Sequence, residues 1–341
     1  MKLFSKLKIL ALVLLVLAAV VFFYAYNYLN QAVEFESQKV QIKAGSGFSS
    51  IAAKLQHQGL ITNPNLWKVY ARLTGKATRV QAGEYQFEAG LSPVAMLDKL
   101  IKGEVIQHQI TLVEGWTFKQ FLQALAAEEK LEHKLTGLKP SEIMAKLGDE
   151  KRHPEGLFFP DSYQFTLGTS DEDILRRAFK RLETILAEEW QQRAENLPYE
   201  TPYEALIMAS IVEKETGQPS ERAEIAGVFV RRLQKGMRLQ TDPTIIYGLG
   251  DSYKGNIRRK HLKQYTPYNT YMIPALPPTP IAMVGREAIH AALHPQAGKS
   301  LYFVAKGDGS HFFSDTLQQH NAAVRRYQLK RVEQYRSSPA N

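Results

Sequence analysis

A run of eighteen apolar and aromatic residues, at positions 9–26, constrains this chain more than any other feature of its sequence. About 20 apolar helical residues cross a bilayer core, whose hydrocarbon offers no partner for the backbone groups of an open loop or strand. The run therefore predicts a transmembrane helix over residues 9–29. Three lysines precede it, and cationic residues favour the cytoplasmic side, so residues 1–8 are predicted to be cytoplasmic.

The same run could instead be the apolar part of a cleaved signal peptide. A signal peptide has a shorter apolar region that ends at a small-residue cleavage site, whereas this run ends in Phe22, Phe23, Tyr24 and Tyr26. Aromatic residues at that end are typical of the interface belt of a retained helix. We therefore favour a single-pass anchor. In a bacterium this prediction places the chain in the inner membrane, with the bulk of it in the periplasm.

Composition excludes several classes of protein. The chain has no cysteine among its 341 residues, which excludes disulfides, thiolate metal sites and cysteine nucleophiles. Lysine and arginine exceed aspartate and glutamate by nine, but the excess is spread along the chain and forms no nucleic-acid-binding signature. A basic exterior also suits work beside anionic lipid or an acidic polymer. We predict two or three domains for this length and no nucleic-acid partner.

After a polar connector at residues 30–37, the pattern predicts a compact module at residues 38–104. An alternating strand that contains Val40 and Ile42 precedes two helices, each ended by a glycine, and a second strand follows at residues 83–87. This strand–helix–helix–strand order resembles a LysM module, a fold that binds N-acetylglucosamine chains. A spacer domain that binds nothing would show the same order, because the pattern is common.

Residues 105–200 are predicted to form a second α+β segment that repeats features of the first. Five turn and core residues of the module recur seventy residues later: Ile42, Gly45, Phe48, Ile51 and Leu55 as Leu112, Gly115, Phe118, Phe121 and Leu125. The strand Tyr85-Gln86-Phe87 also recurs, as Tyr163-Gln164-Phe165. A degenerate duplication explains these matches, and so does chance matching of common turn and core residues. Ser170 is predicted to cap the long amphipathic helix that follows.

The apolar run at residues 205–212 contains a single polar residue, a hydroxyl, and predicts a helix buried on most sides. Glu215 follows in register with the apolar stripe of this helix. Burial against apolar neighbours raises the pKa of a carboxyl and keeps it protonated near neutral pH, ready to donate a proton. The alternative is an ordinary helix end at which Glu213 and Glu215 are solvated. Gly217 is predicted to supply a left-handed cap, and Ser220 to cap the next helix.

Residues 238–313 are rich in turns that carry Tyr, Asn, Thr, Gln and Pro. Aromatic faces can stack on sugar rings, and amides and hydroxyls can bond ring substituents, so this composition suits a glycan. Ordinary loops around a mixed sheet would have the same composition. Together with Glu215 the loops form a candidate cleft, in a region predicted to span residues 201–335 with a helical floor under the site.

Several ordered motifs resemble the endolytic peptidoglycan transglycosylases of the MltG or YceG-like family. The matching segments, spread over nearly the whole chain, are residues 155–163, 209–216, 240–244, 246–248, 268–271, 276–278, 294–295, 301–304 and 309–313. Thr279 and Val284 depart from the family, which usually has glycine and proline there. The shape of that loop is therefore not carried over.

The resemblance implies a lytic transglycosylase, a lyase in which one glutamate, here Glu215 beside Thr216, does the chemistry. Such an enzyme cleaves the MurNAc–GlcNAc β-1,4 bond within a strand. The acid protonates the leaving oxygen, then as carboxylate deprotonates the C6 hydroxyl of the same sugar, and a 1,6-anhydro end forms without water. A hydrolase usually needs two flanking carboxylates. If a second acid assists Glu215, Asp242 and Glu155 are the candidates.

The resemblance also implies a set of substrate-binding side chains around the acid: Gln240, Thr241, Asp242, Tyr247, Asn269, Tyr271 and His311. The implied partners are peptidoglycan strands and the inner membrane, with peptidoglycan synthases as further candidates, and the implied role is to terminate the elongation of new strands. No metal or cofactor is expected. His290 and His294 lie four apart on a predicted helix, but neither an HExxH pattern nor a clear third ligand accompanies them.

The overall prediction is an α+β chain with an N-terminal transmembrane helix, a LysM-like βααβ module and a mixed α+β catalytic domain. The competing prediction is a non-catalytic glycan-binding scaffold of the wall-synthesis machinery, in which the LysM-like module is the active part. Binding without cleavage would distinguish the scaffold from the enzyme.

Overall fold

The computed structural model describes residues 2–328, and side chains from residue 4 onward. Its first element, α1 (Lys2–Asn30), contains the predicted span. The part Phe4–Asn30 is long and apolar enough to cross a membrane, and its side chains are exposed almost throughout. A retained anchor and a signal sequence both fit this finding. Of the ranges predicted from the sequence, residue 1 and residues 329–335 lie outside the described part of the chain.

The last turn of α1 belongs to the first folded unit of the chain. Leu29 is 7% exposed and lies in the apolar core of that unit. The Tyr28 hydroxyl accepts a hydrogen bond from the backbone N–H of Asn63 at 2.7 Å. Val33 and Phe35, which lie in the predicted connector, pack against the same core. The chain that leaves the apolar helix is therefore in contact with the unit from its first residues onward.

The described chain divides into two compact units, of which the first runs to Gln109 and also includes Gln164–Thr169. Its elements are β1 (Gln38–Ile42), α2 (Phe48–His57), α3 (Pro64–Leu73), β2 (Gly83–Phe87) and α4 (Pro93–Lys102). β1 pairs antiparallel with β2, and Val40 lies opposite Tyr85. Because side chains alternate along a strand, both residues face the core, together with Phe87. The predicted order of two strands and two helices is present in this unit.

The following segment has the same order of elements. They are β3 (His108–Thr111), α5 (Phe118–Ala127), α6 (Pro140–Leu147), β4 (Ser162–Phe165) and α7 (Asp171–Gln191). β3 pairs with β4, and the boundary between the two units falls within these strands. Ser170 caps α7, as predicted, with its hydroxyl accepting from the backbone N–H of Asp173.

The two sets of elements share details that their order alone does not require. Gly45 and Gly115, in the turn after the first strand of each set, have positive φ angles of 76° and 74°. Tyr85 and Tyr163, in the second strands, each donate a hydroxyl hydrogen bond to the backbone carbonyl four residues earlier. A duplication predicts such parallels, and superposition of the two sets is its direct test.

The second unit is built around α8 (Pro202–Glu215). The elements after it are α9 (Arg222–Gln234), α10 (Asp242–Leu249), α11 (Arg259–Lys263), α12 (Arg286–Leu293), the antiparallel pair β5 (Tyr302–Ala305) and β6 (His311–Ser314), and α13 (Leu317–Tyr327). α8 contacts α7, α9, α10 and α12, and residues 205–212 are all buried. A helix without a polar face has to be enclosed in this way. In the described residues the strands form three two-stranded sheets, so the chain is α+β, as predicted.

Two helix caps predicted near Glu215 are wrong. α8 is capped by Thr216 in an extended conformation, and the Thr216 hydroxyl accepts from the backbone N–H of Gln218 at 2.9 Å. This turn between a side chain and the backbone replaces the left-handed turn predicted at Gly217. Ser220 lies inside a short 3₁₀ turn (Pro219–Glu221), and α9 begins only after it, without a side-chain cap.

Candidate active site

Glu215 is the last residue of α8, and its side chain is partly buried. Burial raises the pKa of Glu215 to about 7; the charge of Asp242 adds to the rise, and a hydrogen bond from Thr241 opposes it. A carboxyl with this pKa is present in both protonation states at neutral pH. It can therefore donate a proton and afterwards accept one.

Thr241 supplies that hydrogen bond. Its buried hydroxyl donates to Oε1 of Glu215, whereas Oε2 has no hydrogen-bond partner among residues 2–328. The Thr241 backbone is fixed on both sides: its N–H donates to Oγ1 of Thr270 at 3.1 Å, and its carbonyl accepts from the Thr244 hydroxyl at 2.7 Å. The site thus holds one carboxyl oxygen and leaves the other for a ligand.

Asp242 and Tyr271 form a second polar pair beside the acid. The Tyr271 hydroxyl donates to Oδ1 of Asp242 at 2.8 Å. Burial raises the pKa of Tyr271 far above its usual range, and the nearby charges of Asp242 and Glu215 add to the rise. The phenol therefore stays protonated and remains a donor. The structure places both residues next to Glu215.

Gln240, just before Thr241, has a positive φ of 55°. Its Oε1 accepts from Nη2 of Arg232 at 2.6 Å, and its backbone N–H donates to the carbonyl of Thr270 at 3.2 Å. Arg232 lies on α9 and is only 7% exposed. Sequence reasoning missed Arg232, because no pattern in an amphipathic helix marks one arginine as buried.

Asn269 is almost completely buried, with 1% exposure, and its amide is used inside its own loop. Nδ2 donates to the carbonyls of His261 at 3.0 Å and Gln264 at 2.6 Å. Oδ1 accepts from the backbone N–H of Tyr271 at 3.0 Å. The sequence predicted that Asn269 contacts the glycan directly. These hydrogen bonds instead favour a role in which Asn269 positions Tyr271.

Tyr247 contacts a different acid, Glu155. The Tyr247 hydroxyl donates to one carboxyl oxygen of Glu155 at 3.1 Å, and the backbone N–H of Phe118 donates to the other at 3.0 Å. Burial raises the pKa of Glu155 to about 7, although both hydrogen bonds oppose the rise. A cavity of about 610 Å³ between α5 and α6 borders this carboxyl. Glu155, a candidate second acid, thus connects α5 to α10.

Glu213 faces a different direction from Glu215, because residues two positions apart in an α-helix are separated by about 200° around its axis. Its Oε2 accepts from the backbone N–H of Gly285, just before α12, at 3.2 Å. Burial raises the pKa of Glu213, and the charge of Glu114 adds to this effect. Glu213 is therefore attached to α12, whereas Glu215 is attached to the residues that begin α10.

His311 makes its polar contacts in the described chain with Glu221. Its backbone N–H donates to Oε1 of Glu221 at 2.9 Å, and its ring Nδ1 lies 2.7 Å from Oε2. This pair joins β6 to the turn before α9. Of the predicted binding residues, the structure brings three to Glu215, namely Thr241, Asp242 and Tyr271. It joins Gln240 to Arg232, Tyr247 to Glu155 and His311 to Glu221, and it uses Asn269 within its own loop.

Among the described residues, one group has a spacing that suits a metal ion: the ligating atoms of Glu189, His290 and His294 lie within 4.8 Å of one another. His290 Nδ1 lies 2.8 Å from Oε2 of Glu189, and Arg286 Nε donates to Oε1 at 2.7 Å. The arginine already places a positive charge on this carboxylate, which opposes a second cation. A metal would have to displace these bonds.

The model of the YceG-like family matches residues 40–326 of the chain. A relative from Bacillus subtilis (strain 168), named endolytic murein transglycosylase, is 34% identical over 327 residues, which cover 88% of each protein. A relative of the same name from Streptococcus pneumoniae serotype 2 is 26% identical over 356 residues. That alignment covers 92% of this chain but only 63% of the pneumococcal protein.

A solved structure shares the fold. The crystal structure of a YceG-like protein from Listeria monocytogenes is 31% identical, with a TM-score of 0.54, and the match covers 84% of this chain and 99% of that one. The family model spans most of the chain, and the Bacillus relative exceeds 30% identity over most of both proteins. The chain therefore belongs to the YceG-like family.

Proposed function

We propose that this protein is a membrane-anchored lytic transglycosylase that cleaves within peptidoglycan strands. The observation that carries the proposal is the state of Glu215, whose pKa is raised to about 7 and whose Oε1 accepts one hydrogen bond from a fixed donor. The names of the Bacillus and pneumococcal relatives, endolytic murein transglycosylase, support the same activity.

Glu215 acts first as an acid. Its proton passes to the oxygen between MurNAc and GlcNAc, and the bond from that oxygen to C1 of MurNAc breaks, with the electron pair leaving on the oxygen. Positive charge then develops at C1, and the N-acetyl group of the same sugar stabilises it, so a second flanking carboxylate is not required. Asp242, held by Tyr271, adds a negative charge beside the site that favours this state.

Glu215 acts next as a base. As a carboxylate it removes the proton of the C6 hydroxyl of MurNAc, whose oxygen then bonds to C1 and closes the 1,6-anhydro ring. The proton that Glu215 gave up is thereby returned, and no water is consumed. Burial favours the acid form and the Thr241 hydroxyl favours the carboxylate, so a pKa near neutrality serves both steps.

The residues around Glu215 orient the strand. Gln240 lies two residues before Asp242, which is the first residue of α10, and both side chains are exposed. A sugar ring beside Glu215 can contact them. Tyr271 holds Asp242, and Asn269 holds the backbone of Tyr271. Tyr247 and His311 support the site through α10 and through β6.

We assign the N-terminal helix to the inner membrane, with residues 1–8 in the cytoplasm and the bulk of the chain in the periplasm. The length and composition of Phe4–Asn30 support this assignment. A retained helix is also supported by Leu29 and Tyr28, because removing the whole helix would take one residue from the core of the first unit and one hydrogen-bond acceptor from Asn63.

We assign glycan binding to the LysM-like module at residues 38–104, on the order of its strands and helices. Residues 105–200 are a degenerate second copy in this proposal. The catalytic region in this proposal is residues 201–335, described as far as residue 328, and the contacts of α8 with α9 and α12 support a helical floor at the site. An anchored enzyme of this kind would act on strands at the membrane, terminating their elongation beside the synthases that make them.

The test is digestion of purified peptidoglycan by the full chain in detergent, followed by mass spectrometry of the products. The proposal predicts oligosaccharides with 1,6-anhydro-MurNAc ends, and their absence when Glu215→Gln is used. The variant Glu213→Gln is the matched control, because it changes the neighbouring acid on the same helix. Reducing ends would indicate a hydrolase, and binding without cleavage would indicate a scaffold.

A further inference from the structure

Two non-glycine residues of the described chain have a positive φ: Asn196, at 59°, and Gln240, at 55°. Asparagine is enriched in this conformation, whereas for most residues with a Cβ it is unfavourable and persists only where the surroundings impose it. Gln240 directly precedes Thr241, which donates to Glu215. The strained backbone thus lies one residue from the group that holds the acid.

Arg232 is one group that imposes this conformation. Its Nη2 donates to Oε1 of Gln240 at 2.6 Å, and the guanidinium is itself fixed by the carbonyls of Arg238 at 2.9 Å and Leu301 at 3.1 Å. All three acceptors are neutral, and among residues 2–328 no carboxylate forms a salt bridge with Arg232. A buried cation without an opposite charge is unfavourable for folding, and the Tyr302 ring, 5.4 Å from the guanidinium, offsets only part of that cost. Its presence here points to a requirement other than stability.

We propose that Arg232 and Gln240 are positioning residues for the acid. Arg232 holds Gln240 in its strained conformation, and this conformation places the Thr241 hydroxyl on Glu215 and directs the amide donors of Gln240 to the substrate. The proposal rests on the proposed function, in which Gln240 already meets the strand, and it adds Arg232, which in the described chain forms no hydrogen bond with Glu215 or Thr241.

The orientation of the Gln240 amide follows from the chemistry of arginine. A guanidinium has only donors, so the amide atom that faces Arg232 is the oxygen, and the NH₂ group is turned away from it. The Gln240 side chain is exposed. It therefore presents a donor, not an acceptor, to the glycan, and its partner there is an acceptor oxygen such as an acetamido carbonyl.

The first test is Gln240→Gly, with Asn196→Gly as the matched control. Glycine adopts a positive φ without strain, so Asn196→Gly is expected to keep or raise Tm, whereas Gln240→Gly also removes an acceptor from the buried Arg232 and its rate is therefore compared per folded molecule. Only Gln240→Gly is expected to lower kcat, by several-fold, because the donor to Glu215 is held less firmly than in the wild type. A weaker bond from that donor raises the pKa of Glu215, so the alkaline limb of the pH–rate profile should move to higher pH.

The second test is Gln240→Glu, which keeps an acceptor for Arg232 and removes the donor. The expected result is a Tm that is not lowered, a kcat close to that of the wild type, and a several-fold higher KM for glycan strands. An unchanged KM would overturn the donor role, and a Gln240→Gly enzyme with wild-type kcat and pH profile would overturn the positioning role.

The variant Glu215→Gln, assayed alongside, separates the two proposals. If it still cleaves, the proposed function fails; if it does not and Gln240→Gly is normal, only the positioning role fails.

Discussion

The turn that carries Glu155 and the end of α8 that carries Glu215 each bury one carboxyl, and burial raises the pKa of both to about 7. They differ in what their oxygens do. Glu155 is 4% exposed, and both of its oxygens accept hydrogen bonds, from Phe118 and Tyr247. Glu215 is less buried and accepts one bond, from Thr241, among the described residues. A raised pKa alone therefore does not mark a catalytic acid; an oxygen that a ligand can reach is needed as well.

The difference has a structural consequence. Glu155 joins the first turn of α5 to α10, so its carboxyl works as a connection between elements. Glu215 is itself held by the residue that precedes α10. The two acids thus fix the same helix from two directions, and variants of each should separate stability from catalysis.

The largest expected effect is the loss of catalysis in Glu215→Gln. An amide cannot donate the proton or take it back, and we expect the cleavage rate to fall by about 10³-fold or more. Glu155→Gln should keep its rate within about tenfold per folded molecule, since it does not touch the substrate. Release of anhydro ends per minute measures both. Equal losses in two folded variants would remove the distinction between the acids.

Glu155 should contribute strongly to the dependence of stability on pH, and so should Glu215, whose pKa is raised to the same value. The folded pKa of Glu155, about 7, lies above its ordinary value of 4.5, so between these values the folded state binds more protons than the unfolded state. Stability therefore falls as pH rises through this window, by about 3 kcal/mol for a shift of this size. Urea unfolding at several pH values should show a flatter curve for Glu155→Gln than for the wild type. Parallel curves would show that Glu155 does not titrate in this window.

Thr241→Val should have an intermediate effect. Valine has the shape of threonine but cannot donate to Glu215, so the pKa of Glu215 should rise and the acid step, which forms the carboxylate, should slow by about tenfold. The pH–rate profile should move to higher pH. Thr241→Ser, which keeps the hydroxyl, is the control and should retain the wild-type profile; the same shift in the serine variant would exclude the hydroxyl as its cause.

Glu213→Gln should have the smallest effect. The amide oxygen can still accept from Gly285, and the repulsion by Glu114 is removed, so the free energy of unfolding should change by less than about 1 kcal/mol. Cleavage should stay close to the wild-type rate. A large loss of cleavage in Glu213→Gln, with Glu215→Gln still active, would identify Glu213 as the catalytic acid.

The helix end that carries Glu215 was predictable from its sequence. Eight consecutive residues before it, at 205–212, are buried in the structure, as an apolar run without a polar face requires. The strand pattern at Val40 and the cap at Ser170 were also predictable, because both depend on neighbours within a few positions. The caps predicted at Gly217 and Ser220 were wrong because the Thr216 hydroxyl and Pro219 determine the turn instead.

The contacts of Glu215 were not predictable by the same means. Thr241 lies twenty-six positions later, and only the packing of α8 against α10 brings it to the carboxyl. Composition singled out the polar loop residues only as a group, and it could not show that the Asn269 amide is used within its loop. Arg232 gave no signal at all, since nothing in its own helix shows that its guanidinium is buried and bonded to Gln240, eight positions later.

Titration of the Glu215 carboxyl tests most directly whether this acid is protonated at neutral pH, as the proposed chemistry requires. Carbon-13 NMR of labelled glutamate side chains should show two carboxyl groups that titrate near pH 7, one lost in Glu215→Gln and the other in Glu155→Gln. A Glu215 signal that titrates near 4.5, its ordinary pKa, would contradict a protonated acid at neutral pH.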